Sequence, residues 1–384
     1  MKFLHLGDLH LGKDLANFSL YDDQKYILTQ LLQLAAARKV DAVILAGDLY
    51  DRAIPPERAV ELLDWFLREL TLAGYPVYAI SGNHDSDERL NFASSLLEES
   101  GVFMAAKYEG TLYERVVEDE YGPLHIYLLP FVKASQVKKF HPEASIETYD
   151  DAVRTVLEAA GVNPEERNLL VAHQFVAGHT DVTGSGSESF TVENVGLVDR
   201  IGVDVFDGFD YVALGHIHKA QQVGRPEVRY CGSLLKYSLT EVDYEKSVPI
   251  VTLCEHGRTE VELVPLKPMR NLRHLTGPIR ELIDPKRVTD PQDFIYATLT
   301  DEEIADDAMG ILQQVYPNTI RTVYDNSHTR AVTQVDITQI AGERTFTELI
   351  TEFYEQMYGT AMTEEELKAM QTAAGEAGVA DETH

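Results

Sequence analysis

Residues 41–52 read DAVILAGDLYDR, a short apolar, β-branched run that stops abruptly at glycine and aspartate. A run of that length suits a strand buried on both faces, and the polar residues begin where such a strand must leave its sheet. The same grammar recurs at 2–10 (KFLHLGDLH), 76–85 (PVYAISGNHD), 168–174 (NLLVAHQ) and 210–218 (DYVALGHIH). Amphipathic stretches separate these runs. Residues 20–39 place Ile27, Leu31, Leu34 and Ala35 on one helical face, and Pro55 and Pro56 open a helix that runs to about Ala73. Further helices are expected at 89–99, closed by Gly101, and near 148–160, with another strand at 125–129. Strands alternating with helices predict an α/β fold, and the short strands and turns of 227–264 complete its sheets with antiparallel pieces.

Composition removes several classes. The chain has 384 residues, 44% hydrophobic and 25% charged, which is ordinary for a globular protein of two or three domains. No apolar run approaches the ~20 residues that cross a bilayer. His5 and Asp8 interrupt the apolar N-terminus, so it does not read as a signal peptide, and a cytoplasmic location is expected. Cys231 and Cys254 make neither a disulfide framework nor a zinc cluster and read as core packing. The net charge of −30 offers no broad basic footprint for nucleic acid and, taken alone, argues against a general DNA-binding module.

The chemistry sits where the apolar runs stop. In an open α/β sheet the carboxyl ends of the strands converge on one crevice. The five motifs deliver Asp8, His10, Asp48, Asn83, His84, His173, His216 and His218 to it. Leaving His84 aside, these are seven oxygen and imidazole donors without thiolate. The set suits Mn2+, with Fe2+, Zn2+, Mg2+ or another divalent ion also compatible, rather than structural zinc. Seven donors are too many for one ion and fit two that share a carboxylate. Two dications about 3.5–4 Å apart can clamp the attacking and leaving oxygens of a phosphoryl displacement.

Taken in order, these motifs resemble the calcineurin-like metallophosphoesterase superfamily. Within it, FLHLGDLHLG, GDLYDRAIPP, SGNHDS, HQFVAG with the SES stretch after it, and GHIHK with CGSLLKYS are similar to its bacterial DNA-repair nuclease branch. That resemblance implies a four-layer α/β/β/α core over 1–265, a small α/β cap with DNA contacts over 266–341, and an acidic helical tail over 342–384 that binds a partner. It implies that Asp8, His10, Asp48 and His218 hold one Mn2+ and that Asp48, Asn83, His173 and His216 hold a second. His84 would contact the scissile phosphate and protonate the leaving oxygen. Archaeal and eukaryotic relatives carry histidine where this chain has Asp51, whose implied role is to orient and charge His84; Arg52 would grip phosphate. The implied activity is double-strand exonuclease and single-strand or hairpin endonuclease in DNA repair and recombination. The implied assembly is a homodimer within a heterotetramer with a coiled-coil ATPase of the SbcC type, away from membranes.

Other features have plainer readings. His5 reads as a buried, hydrogen-bonded strand residue, and His125, His256 and His274 as surface or satisfied groups. His179 falls in a loop that includes TGSGSES at 183–189. Lys138, Lys139, Arg270, Arg273, Arg280, Lys286 and Arg287 read as solvated charges before DNA contacts. The tail, 343–384, carries ten Asp/Glu against Arg344 and Lys368, and Leu349, Ile350, Phe353, Tyr354 and Met357 give it an apolar stripe. Two rivals use the same core: a dimetal phosphomonoesterase or protein phosphatase, and a scaffold that keeps the fold without the chemistry.

Overall fold

The computed structural model describes residues 1–92, 94–177, 200–327, 329–330, 347, 350–351, 354 and 361–376. The 183–189 loop, His179, Leu349, Phe353 and Met357 lie outside the described residues. The chain divides into two compact units, Met1–Asn271 and Leu272–His384.

The first unit is built on two six-stranded sheets. One runs, in spatial order, Thr259–Pro265, Ser247–Leu253, Lys2–Leu6, Ala42–Ala46, Val77–Ile80 and Val102–Ala105; its last four strands are parallel. The other runs Gln221–Val223, Arg225–Tyr230, Tyr211–Gly215, Arg167–His173, Gly122–Leu129 and Tyr113–Asp119, with a parallel centre and antiparallel edges. The central strands are continuously apolar because both of their faces are covered. Phe3, Ile44, Tyr78, Ile126, Val171 and Tyr211 fill the space between the sheets.

Helices close the outer faces. Leu170, Val212 and Leu214 meet Val153 and Val156 of the helix Tyr149–Ala160. Thr148 starts that helix by accepting from Asp151 N, and Gly161 ends it in a left-handed conformation. The helices Tyr21–Arg38 and Glu57–Leu72 pack on each other, and the second packs on Val77–Ile80. The result is an α/β/β/α sandwich.

Two helices differ from the sequence reading. The helix expected over 89–99 is two pieces, Asp87–Asn91 and Ser94–Glu99, because Phe92 turns extended and ends the first. In the second unit, residues 302–316 (EEIADDAMGILQQVY) read as one helix between the strands DFIYATLT and TIRTVYD, but the helix is only Ala308–Gln313, since the Asp307 side chain accepts from Gly310 N and fixes a later start. That unit also has a strand the reading missed. Leu272–Gly277 joins Phe294–Leu299 and Thr319–Tyr324 in a three-stranded parallel sheet around Ile295, Ala297, Leu312 and Tyr316. The only part of the tail described as an extended helix is Glu364–Glu376. Among the described residues, no helix is long and apolar enough to cross a membrane.

One ion pair ties the two sheets together at the amino ends of their parallel strands. Arg167 grips both Asp119 oxygens, at 2.7 and 2.9 Å, and reaches across to Leu253 O in the other sheet at 3.3 Å. Bidentate geometry makes this stronger than a single contact. The Arg167 guanidinium holds the Asp119 carboxyl well below the usual carboxylate range. A depressed folded-state pKa adds stability above the unfolded value near 4, and that stability is lost as pH falls. We expect Asp119→Asn to lower stability by about 2–3 kcal/mol at pH 7, somewhat less than for a fully buried pair. Urea denaturation across pH 3 to 7 should show the difference from wild type shrinking towards the acid end.

Candidate metal centre

The parallel registers decide where the donors stand. Leu6 lies beside Leu45, so the chain leaves both strands together, and Asp8 N and His10 N donate to Gly47 O and Asp48 O at 3.0 Å each. In the other sheet Gly215 lies beside His173. The two sheets then approach so closely that side chains are excluded. A Cβ on Gly215 would sit 1.9 Å from Ala46 O, and one on Gly47 would sit 2.4 Å from His173 Nδ1. Asp8, His10, Asp48 and His216 adopt positive φ of 50°, 43°, 49° and 102°. Backbone in this region is costly for residues with a Cβ and gathers at functional sites.

All seven expected donors meet there. His10 Nε2 and His218 Nε2 face each other at 3.0 Å. Asp48 Oδ2 lies 3.3 Å from His173 Nε2 and 3.6 Å from His10 Nε2. Asn83 Oδ1 lies 3.2 Å from His173 Nε2 and 3.0 Å from His216 Nδ1. Asp8, His10 and His218 form one compact trio of potential ligand atoms, and Asp8, Asp48 and His173 form another. Asp8 Oδ1 accepts from His216 N at 2.8 Å, whereas its fully buried Oδ2 has no hydrogen-bond partner among the described residues. A buried carboxylate oxygen without a donor, among imidazole nitrogens aimed at one another, fits a divalent ion. Both cysteines are buried and belong to neither trio.

The electrostatics agree with a site built for added positive charge. Burial pushes the Asp8 carboxyl up to about 6, against the pull of His173 and His218. Burial also lowers His10 to about 4 and His216 to about 3, which keeps them neutral and able to donate lone pairs. His173 is the exception. Burial lowers its pKa, but the adjacent Asp48 carboxylate outweighs that and raises it to about 9.

His84 sits half-buried at the rim. Its main-chain N donates to Asp48 Oδ1 at 2.9 Å, and its ring stands edge-on to His10 with centroids 4.9 Å apart. The expected link to Asp51 runs through the main chain: His84 Nδ1 donates to Asp51 O at 2.9 Å. The Asp51 carboxylate lies 2.6 Å from Lys13 Nζ and 3.4 Å from His10 Nδ1, and it forms a further compact trio with the His10 and His84 rings. Arg52 is exposed.

Several supporting residues escape the sequence reading. Asp85 accepts from Leu49 N, Tyr50 N and Gly82 N at 2.9–3.1 Å, locking the Asp48 loop to the Asn83 loop. Gln24 and Tyr237 hold the other loop, donating to His10 O at 2.7 Å and Leu9 O at 2.6 Å. Glu241, fully buried, faces His218. Only Asp85 carries a signal, as the residue that closes the GNHD motif. Among the histidines read plainly, His5 is buried and its Nδ1 meets Tyr211 Oη at 3.0 Å.

A family model described as calcineurin-like phosphoesterase matches residues 1–220, and one described as type 5 capsule protein repressor C-terminal domain matches 268–358. The D subunit of nuclease SbcCD from Staphylococcus epidermidis is 32% identical over 336 residues, 85% of this chain and 87% of that protein. Two solved structures are similar at low identity. The TT1561 protein of Thermus thermophilus has a TM-score of 0.39 at 14% identity, covering 68% of this chain and 98% of that one. A dimetal phosphatase from Danio rerio has a TM-score of 0.40 at 12% identity, covering 69% and 96%.

Asp85 offers a direct check on how the loops are held. Asp85→Ala strands three main-chain N–H groups and should cost about 3 kcal/mol of stability. Metal analysis of the purified variant should find fewer bound ions per chain than in wild type, because Asp48 and Asn83 lose their common anchor.

Proposed function

The chain belongs to the calcineurin-like phosphoesterase family, and within it to that of the SbcCD nuclease's D subunit, and from this we propose that it is a Mn2+-dependent DNA nuclease subunit. It would cut duplex ends exonucleolytically and single strands or hairpins endonucleolytically in DNA repair and recombination. The observation that carries the reading is the meeting of seven oxygen and imidazole donors from five strand ends around the unpartnered Asp8 Oδ2.

In this reading Asp8, His10, Asp48 and His218 hold one ion, while Asp48, Asn83, His173 and His216 hold the other. Two bound dications supply Lewis acidity and neutralise the phosphodiester. The chain's own residues do the rest. Asp48 joins the two positions and, through its Oδ1, fixes the main chain of His84. The Asp51 carbonyl accepts from His84 Nδ1–H, so a second ring proton sits on Nε2, and it is from this doubly protonated form that Nε2 can pass a proton to the leaving oxygen. Asp51 then acts on His84 through its main chain, and Arg52 remains a phosphate contact at the exposed rim.

The charge balance fits a protein that binds DNA only weakly by itself. Against a net charge of −30, a phosphodiester is drawn only by the local positive charge of a loaded centre. The broad basic path would come from an SbcC-like ATPase, bound by the tail beyond residue 341. Residues 1–265 would then be the nuclease domain and 266–341 the DNA-contacting cap. A homodimer within a heterotetramer and a cytoplasmic location complete the proposal.

The deciding experiment incubates the chain and Mn2+ with a linear duplex, a DNA hairpin and p-nitrophenyl phosphate, beside Asp8→Ala. Metal-dependent DNA cutting that disappears in Asp8→Ala supports the nuclease. Monoester turnover without DNA cleavage would move the protein to the phosphatase reading. His84→Ala should keep both ions and lose at least about 100-fold in cleavage rate, the scale of a lost general acid. Asp48→Ala should bind fewer than two ions, as measured by equilibrium dialysis; two ions retained would remove it as the bridge.

A further inference from the structure

Three imidazoles of the centre turn one ring nitrogen inward and the other onto a supporting group, and the supporting groups differ. His173 directs Nδ1 to a neutral acceptor, Ala46 O, at 2.8 Å. His10 and His218, whose Nε2 atoms face each other, direct Nδ1 to carboxylates: Asp51 at 3.4 Å and Glu241 at 3.5 Å. Each carboxylate is paired in turn with a lysine, Asp51 with Lys13 and Glu241 with Lys246.

The Glu241–Lys246 pair is the buried one of the two. Glu241 is fully buried and Lys246 is 7% exposed. Glu241 also accepts from Tyr237 N at 3.2 Å and Ser233 Oγ at 3.3 Å. Lys246 donates to His218 O at 2.9 Å and to Ser233 Oγ at 2.7 Å. The pair therefore holds both the ring and the main chain of His218. A buried ion pair gives little stability beyond that of well-packed apolar residues, because both charges must be desolvated. Its position behind one particular imidazole gives it a different use.

We infer that Glu241, anchored by Lys246, is a positioning residue for the metal that Asp8, His10, Asp48 and His218 would hold. It keeps His218 as the Nδ1–H tautomer, aims Nε2 at the ion and strengthens the imidazole as a donor. Carboxylates behind ligating histidines act in this way, and their loss weakens metal binding about 10–100-fold. The inference rests on the proposed role of His218 as a ligand, and the test separates the two.

Mn2+ is titrated into the full-length chain, with calorimetry giving affinities and electron paramagnetic resonance distinguishing single from paired ions. Glu241→Gln should weaken one of the two ions about 10–100-fold and leave the other unchanged. Glu241→Asp should recover part of the loss. Because Glu241→Gln leaves Lys246 buried without its anion, Glu241→Gln/Lys246→Met is measured beside it. That double variant should keep the wild-type melting temperature and still show one weakened ion. Wild-type affinity for both ions in Glu241→Gln would overturn the inference. So would a loss that the double variant restores, since the pair would then serve the fold alone. If His218→Ala binds both ions as wild type does, the ligand assignment itself falls, whatever Glu241 does.

Discussion

A carboxylate oxygen of Asp8, wholly buried and without a donor among the described residues, is the constraint around which the catalytic half of the molecule is organised. Leaving such a charge unmatched costs several kcal/mol, so the fold is stable with Asp8 ionised only if positive charge is brought to it. Everything nearby serves that demand. Four donor residues accept left-handed backbone angles, and glycines at 47 and 215 let two sheets close to a separation no side chain would permit. Strain of this kind persists only where the surroundings over-determine it. Here Asp85, Gln24 and Tyr237 pin the loops from one side, while Arg167 clamps the sheets at the opposite strand ends.

The layers and the seven donors are legible in the sequence for the same reason. An apolar run that ends in a polar motif marks both a strand and the edge of the crevice it points into, and those signals are local. What is not legible depends on contacts between distant segments or on competing local bonds. The partner that Asp51 offers His84 is a carbonyl, which no side-chain pattern reveals. Glu241 follows no motif, and its meaning arises only when a turn after the second sheet packs beneath His218. A helix starting at 302 would open on the helix-favouring Glu302 and Glu303, yet the Asp307 side chain captures a main-chain N–H and delays the start. Phe92 breaks another helix although its neighbours favour one.

Charge shows a similar division between composition and placement. Two arginines that read as solvated before DNA contacts are committed within the fold. Arg270 grips the buried Asp23 and Arg273 lies 2.8 Å from Asp293, whereas the pair of Arg287 with Glu281 is solvent-exposed, as expected of a surface charge. These pairs neutralise local acid and hold the guanidinium groups in place. The acidic surplus is therefore not offset by a reserve of loose basic side chains at these positions, and attraction for phosphate is concentrated in the centre itself.

The order of the ligands along the chain has a consequence for biosynthesis. Asp8, His10, Asp48 and Asn83 are translated early, and His173, His216 and His218 much later. The strand Ser247–Leu253, which pairs with Lys2–Leu6, emerges later still. On the proposed ligand assignment, a nascent chain would carry only part of each ion's donor set until the second sheet is made. Since metal affinity is coupled to folding, metal loading would then follow the docking of the two sheets.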